Sequence, residues 1–220
     1  LRNIQYFQTG VAQHFAKYGA PKVPLWVNLG KSKITPLDEA HEDYGATMRA
    51  LWDYTDVFVV NVSSPNTPNL RELQNDEGLM RILESCHNVN QDLAPAGTEK
   101  PILVKVAPDL TDQQLEHVVI TARSSGAAGI VLSNTTLVRP EGKTAKEDSI
   151  FAETGGLSGR PLLNRSTEMI RIVSKMTKGE WPIVGVGGVM SADDAWEKIR
   201  AGASLVQAYS GFVFEGPSLT

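Results

Sequence analysis

Six short apolar runs alternate along the chain with longer amphipathic stretches, and this alternation limits the fold more than any other feature. The runs are Pro24 to Asn28, Val57 to Val60, Ile102 to Val106, Gly129 to Thr136, Ile183 to Gly188 and Ser204 to Ser210. Each is near-continuous in Val, Ile and Leu, as expected of a strand buried on both faces of a parallel sheet. The stretches between them, Leu37 to Trp52, Glu77 to Asn90, Thr111 to Ser125, Leu162 to Met176 and Ala192 to Ala201, carry apolar residues at helical spacing. Examples are Leu79, Ile82 and Leu83, and Met169, Ile170, Ile172 and Val173. Strand and helix in alternation predict parallel βαβ units.

Each run ends in polar groups or glycine. The first closes on Asn28, the third carries Lys105, the fourth ends in Ser133-Asn134-Thr135-Thr136, the fifth in Gly187-Gly188 and the sixth in Tyr209-Ser210. The second opens into Asn61-Val62-Ser63-Ser64-Pro65-Asn66-Thr67-Pro68, where Pro65 and Pro68 stiffen a polar loop. Ser, Asn and Pro are also ordinary turn residues, so this octapeptide alone leaves both readings open. Polar residues gathered at the C-terminal ends of many strands make a (β/α)₈ TIM barrel the first expectation, with a doubly wound sheet as the alternative.

A whole barrel has eight strands in about 250 residues, whereas 220 residues here show six. The expectation is an incomplete barrel of about strands 3 to 8 in a single domain over residues 1–220. The same reading expects a preceding helix over residues 1–19, two βα units before Leu1, no closing helix after Tyr209 within the chain, and a terminal helix missing after Thr220.

Composition narrows the partners. With 21 Lys and Arg against 25 Asp and Glu, the chain offers no basic surface for nucleic acid, and no apolar run reaches the roughly 18 residues of a membrane span. Cys86 is the single cysteine, which rules out an intrachain disulfide and reads as a packing thiol in a helix. His14, His41, His87 and His117 fall in helices without metal-ligand spacing. Leu93 to Lys100 and Val138 to Thr154 are insertions between elements, the latter a flap or variable surface.

Taken in order, Val27-Asn28-Leu29-Gly30-Lys31, Asn61 to Thr67, Val104-Lys105-Val106-Ala107-Pro108-Asp109, Ser133 to Thr136, Gly155-Gly156-Leu157-Ser158-Gly159, Gly185-Val186-Gly187-Gly188 and Ala201 to Gln207 resemble the class 2, quinone-linked dihydroorotate dehydrogenases across nearly the whole chain. The resemblance implies flavin mononucleotide (FMN) across a barrel mouth. It also implies oxidation of (S)-dihydroorotate to orotate in pyrimidine biosynthesis, with a ubiquinone-type quinone as electron acceptor.

That chemistry removes a proton from C5 and a hydride from C6 of the substrate, so it needs a base on one face and the flavin on the other. Ser64 matches the family's base position, where class 1 relatives carry cysteine. Thr67 is a candidate for passing the proton on, or a hydroxyl that only satisfies its own loop. Asn61, Asn66, Asn134, Thr135 and Pro65 match the substrate loops, whose neutral amides can read a carboxylate and an imide edge. Asn28, Asn61 and Ser133 match flavin contacts, the last where many relatives have threonine.

Lys105 leaves three uses open: a Schiff base, as in lyases and aldolases of barrel form, a positive charge beside the reduced flavin, or a structural ion pair. The flavin role fits its Asn and Ser context best. Gly187, Gly188, Tyr209 and Ser210, with Ser158 and Gly159 from the preceding loop, match the phosphate end, where glycine lets backbone N–H groups approach an anion. The family's first flavin loop, an early substrate lysine, an Asn-Arg substrate loop and the membrane-resting quinone tunnel all belong before Leu1. The implied address is therefore a mitochondrial inner membrane or a bacterial inner membrane, reached through that N-terminal region.

Overall fold

Six parallel strands pair strictly in chain order, each with the next: β1 (Trp26–Leu29), β2 (Val57–Asn61), β3 (Ile102–Val106), β4 (Gly129–Leu132), β5 (Ile183–Val186) and β6 (Leu205–Gln207). They form a curled half-barrel in a computed structural model that describes residues 2–67, 69–142 and 144–219. Pro68, the second loop proline, lies outside the described residues. Sequential parallel order is the barrel pattern, and it excludes the doubly wound alternative, whose strand order reverses at a switch point.

The helices are α1 (Arg2–Tyr18), α2 (Ala40–Leu51), α3 (Asp76–Leu93), α4 (Asp112–Ser124), α5 (Ala145–Phe151), α6 (Leu163–Met176), α7 (Ala192–Arg200) and α8 (Ser210–Glu215). Their starts are legible in side chains. Asn75 caps α3 by accepting from Gly78 N–H, and Thr111 forms a capping box with Gln114 at α4. Ser191 caps α7 by accepting from Asp194 N–H. By contrast, α6 starts at Leu163 with no side-chain cap.

Two layers of apolar side chains follow from the period of two along each strand. Phe58 and Val60, Ile102, Val104 and Val106, and Ile130 and Leu132 point outward into the main core, against Leu79, Ile82 and Leu83 of α3, Leu115 and Val118 of α4, and Met169, Ile170 and Val173 of α6. Ile172, grouped with that stripe from sequence, is only partly buried. Val59, Leu103, Val131, Val184 and Val186 point inward and form a smaller cluster inside the curl.

Two expectations need correction. The fourth run is strand only through Leu132, because Thr136 exchanges backbone hydrogen bonds with Leu157 (3.0 and 2.8 Å) and turns away from the sheet. A short helix, α8, does follow Tyr209: the residues after the last strand wind for one and a half turns instead of staying irregular. The insertion Val138 to Thr154 contains α5, capped by Thr144. Arg139 ties that segment down, donating to the carbonyls of Thr136, Phe151, Glu153 and Gly155.

Candidate functional site

The inward face explains why polar groups meet at one end. Two residues beyond an inward apolar side chain, the strand again points inward, now past the small core. Trp26 is followed in this sense by Asn28, Val59 by Asn61, Leu103 by Lys105 and Val131 by Ser133. Register keeps them level, with Asn61 opposite Lys105, Lys105 opposite Val131 and Val186 opposite Gln207.

These side chains floor a cleft of about 380 Å³ at the C-terminal ends of the strands. Its wall brings together Asn28, Asn61, Lys105, Ser133, Asn134, Thr135, Ser158, Gly159, Gly187, Gly188, Tyr209 and Ser210, all expected at a site from sequence. Ser64, Pro65, Asn66 and Thr67 do not line it; they stand on the adjoining loop after β2. That loop leans on the turn at Gly155-Gly156. A Cβ on Gly156 would come within 2.8 Å of Pro65 Cγ, and one on Gly155 within 3.4 Å of Asn66 Oδ1. The Ser64 hydroxyl oxygen accepts from Asn66 N–H at 3.3 Å.

One corner is a network of neutral groups. Asn61 Oδ1 accepts from the Ser63 hydroxyl (2.8 Å) and from Asn134 Nδ2 (3.2 Å), while Asn134 Nδ2 also donates to Ser63 Oγ (3.0 Å). Behind it, the fully buried Tyr44 donates its hydroxyl proton to the Asn61 carbonyl at 2.8 Å. The amides are thus held by the protein in one orientation, as a site that reads a planar polar ligand requires.

Lys105 donates to Gln207 Oε1 at 3.3 Å. Burial lowers its pKa below the ordinary lysine value. No Asp or Glu lines the cleft among the described residues, so its one charged wall residue is a cation facing amides, hydroxyls and backbone. Such a lining favours an anionic ligand. At the far end, Gly187 (φ 108°) and Gly188 (φ 77°) take backbone conformations that L side chains avoid. A Cβ on Gly188 would sit 2.6 Å from the backbone of Leu163, the first residue of the uncapped α6. The hydroxyls of Ser158 and Ser210 meet across this end at 2.9 Å.

Three contributors were given no role from sequence. Arg71 donates to the carbonyls of Ser63 (3.1 Å) and Thr135 (3.0 Å) and pairs with Asp109 (2.5 Å). Asp109 also accepts from the Thr136 hydroxyl and from Leu137 N–H. Nothing local marks either residue, because apart from Ser63, eight positions from Arg71, their partners lie 27 to 64 positions away. Gln207 had a visible signal: it sits two residues after Leu205 on an inward face.

A curled sheet of parallel strands with a polar cleft at their C-terminal ends defines an incomplete (β/α)₈ barrel with its candidate site where barrel proteins place theirs. The family model for dihydroorotate dehydrogenase matches residues 4–220, and the chain belongs to that family. It is 47% identical over 212 residues to a dihydroorotate dehydrogenase (quinone) of a Cyanothece species, covering 92% of this chain and 54% of that one. To the enzyme of the same name from Christiangramia forsetii it is 50% identical over 192 residues, covering 87% and 54%. The ligand-free dihydroorotate dehydrogenase of Eimeria tenella superposes with a TM-score of 0.85 at 31% identity, over 98% of this chain and 63% of that one. The chain spans about half the length of the curated relatives it matches.

Proposed function

We propose that residues 1–220 form a single flavin-binding barrel unit whose cleft holds flavin mononucleotide, in a protein that oxidises (S)-dihydroorotate to orotate with a quinone as acceptor. Family membership and the names of the relatives support the reaction. The observation that carries the cofactor is a shared lining: Lys105, a cation of lowered pKa on the inward face, opens onto the same cleft as the Asn61 and Asn134 amides and the Gly187-Gly188 turn. An elongated ligand with a polar ring at one end and a phosphate at the other fits that lining. The glycine turn leaves backbone where side chains would block an anion.

When bound, the flavin supplies the hydride acceptor. The chain's residues do the rest. Lys105 would hold the ring's polar edge and supply positive charge beside it. Asn61, Asn66 and Asn134, with Thr135, hold the substrate's carboxylate and imide edges. Ser64 takes the C5 proton as its own hydroxyl proton leaves through Thr67 toward solvent. Asn28 of β1 and Ser133, just after β4, would support the ring, while Ser158, Gly159, Tyr209 and Ser210 would hold the phosphate.

A quinone acceptor dissolved in lipid places the reaction at a membrane surface. We assign peripheral attachment of the intact protein through its N-terminal region; none of the described helices is long and apolar enough to cross a membrane. The bacterial relatives favour the bacterial inner membrane over the mitochondrial one as its address.

The test uses the full natural polypeptide. Released cofactor is identified after denaturation, the protein is mixed anaerobically with dihydroorotate, and a short-chain quinone is then added. Bleaching of the flavin band followed by recovery is expected, and no bleaching would sink the reading. The lowered pKa of Lys105 also suits an amine nucleophile. Borohydride trapping of a substrate adduct on Lys105 would favour that lyase alternative.

A further inference from the structure

Beneath the glycine turn lies a lysine the cleft does not expose. Lys198 of α7 has 0% exposed surface and is among the largest fully buried side chains. Its stem runs past Gly185, where a Cβ would stand 3.0 Å from Lys198 Cδ, so the strand makes room for it. The ammonium donates to Ser166 Oγ (2.7 Å) and Thr167 Oγ1 (3.2 Å). Among the described residues it forms no ion pair with a carboxylate. Asp194, the acidic group that acts on it through space, is engaged by Arg160, Met190 N–H and the Ser191 hydroxyl.

A buried cation without an anion is costly, and an apolar side chain of the same length would avoid that cost. Its surroundings sharpen the point. Ser166 and Thr167 belong to the first turns of the uncapped α6, the positive end of that helix. Ser166, accepting from Lys198, has one proton to give, and its oxygen lies 2.8 Å from the Leu162 carbonyl and 3.1 Å from that of Gly187. That one proton is shared between the two carbonyls, so the ammonium reaches the turn through Ser166 and its 3.1 Å contact to Gly187.

We infer that Lys198 is a positioning residue for the phosphate end of the cleft, a buried countercharge that acts through Ser166 on the Gly187-Gly188 turn and favours a phosphomonoester dianion there. This inference rests on the flavin mononucleotide reading above. It assigns the missing anion to the ligand: the cation is uncompensated in the free protein and compensated in the complex.

Titration gives an independent handle. Burial lowers Lys198 to about 8, with Arg171 of α6 adding to the lowering and Asp194 of its own helix opposing it. β5, which passes its stem at Gly185, carries no titratable side chain. A bound dianion holds the ammonium protonated, so the phosphate's contribution to affinity is full below that value and declines as pH rises through it. Riboflavin lacks the phosphate but shares the ring, so effects of Lys105 cancel when the two ligands are compared.

The experiment strips flavin from the full natural polypeptide and titrates back FMN or riboflavin. Lys198→Met is expected to weaken FMN about tenfold, the weight of one pK unit, and to leave riboflavin within about twofold. Equal weakening of both ligands, or of neither, would overturn the inference. Should the variant not fold, the unaltered protein decides: the FMN-to-riboflavin affinity ratio must fall between about pH 7 and about pH 9.5, where the free phosphate is already dianionic. A flat ratio overturns the role of Lys198 alone. If neither ligand binds at all, the flavin reading falls with it.

Discussion

The guanidinium of Arg71 lies 2.5 Å from the Asp109 carboxylate while donating to the Ser63 and Thr135 carbonyls, so one side chain joins the loops that follow β2, β3 and β4. Both partners are about four-fifths buried, at 21% exposure each. Those three loops carry Ser64, hold the end of the Lys105 strand, and present Asn134 and Thr135.

Arg71→Ala removes the donors and leaves Asp109 short of its cation. A loss of about 2–4 kcal/mol is expected for breaking a part-buried pair that also serves two carbonyls. Urea denaturation reads it. Arg71→Lys keeps the charge but not the fork and should recover only part; full recovery by lysine would show that the carbonyl contacts contribute nothing.

Ser64→Ala should keep bound flavin, since Ser64 lies outside the cleft wall, yet slow flavin reduction by dihydroorotate about 10²–10⁴-fold, as expected for loss of a general base. Ser64→Cys should retain part of the rate with a shifted pH profile. Stopped-flow absorbance is the measurement, and an unchanged rate in the alanine variant would remove Ser64 from the mechanism.

Lys105→Ala is expected to weaken flavin binding or lower the flavin potential, because the cation on the cleft floor is gone. Spectroelectrochemical titration tests this. Normal potential together with normal occupancy would return Lys105 to a structural role with Gln207.

Gly188→Ala forces a Cβ to within 2.6 Å of the Leu163 backbone at φ 77°. Because backbone on both sides must shift, about 1–3 kcal/mol of strain is expected, with FMN affinity falling more than riboflavin affinity. A variant of unaltered stability and affinity would show that the turn is not held against α6.

Alkaline pH should destabilise the fold through two buried acids. Burial pushes the Cys86 thiol from 9.0 to about 12 and raises the Tyr44 hydroxyl well above its ordinary value. The folded state keeps these protons longer than the unfolded state does. Stability is therefore intact below about pH 9 and falls as pH rises, at up to about 1.4 kcal/mol per unit for each group. In Cys86→Ala the thiol's share of that fall should vanish, so urea midpoints of variant and unaltered protein should converge between pH 8 and 10. A constant gap would contradict the burial of Cys86.

Much of the site could be read from sequence because a parallel strand buried on both faces must be apolar until it emerges, so the first polar residue after each run marks the open end. Asn28, Asn61, Lys105 and Ser133 were visible for this reason, and the glycine pair for its lack of side chains. Caps such as Asn75 and Thr111 were local too. Gln207 was legible by the same alternation and was passed over.

What only the tertiary structure decided are the contacts between distant positions. Arg71 is one arginine among many until Ser63, Asp109 and Thr135 converge on it. Lys198 has no role that its own helix reveals, yet the packing of α7 on β5 and α6 buries it completely under the glycine turn. Local pattern sets which face of an element is apolar and where that element stops. Which charge ends up facing which carbonyl depends on the curl of the sheet and the docking of helices, and these are set by the whole core rather than by any segment of it.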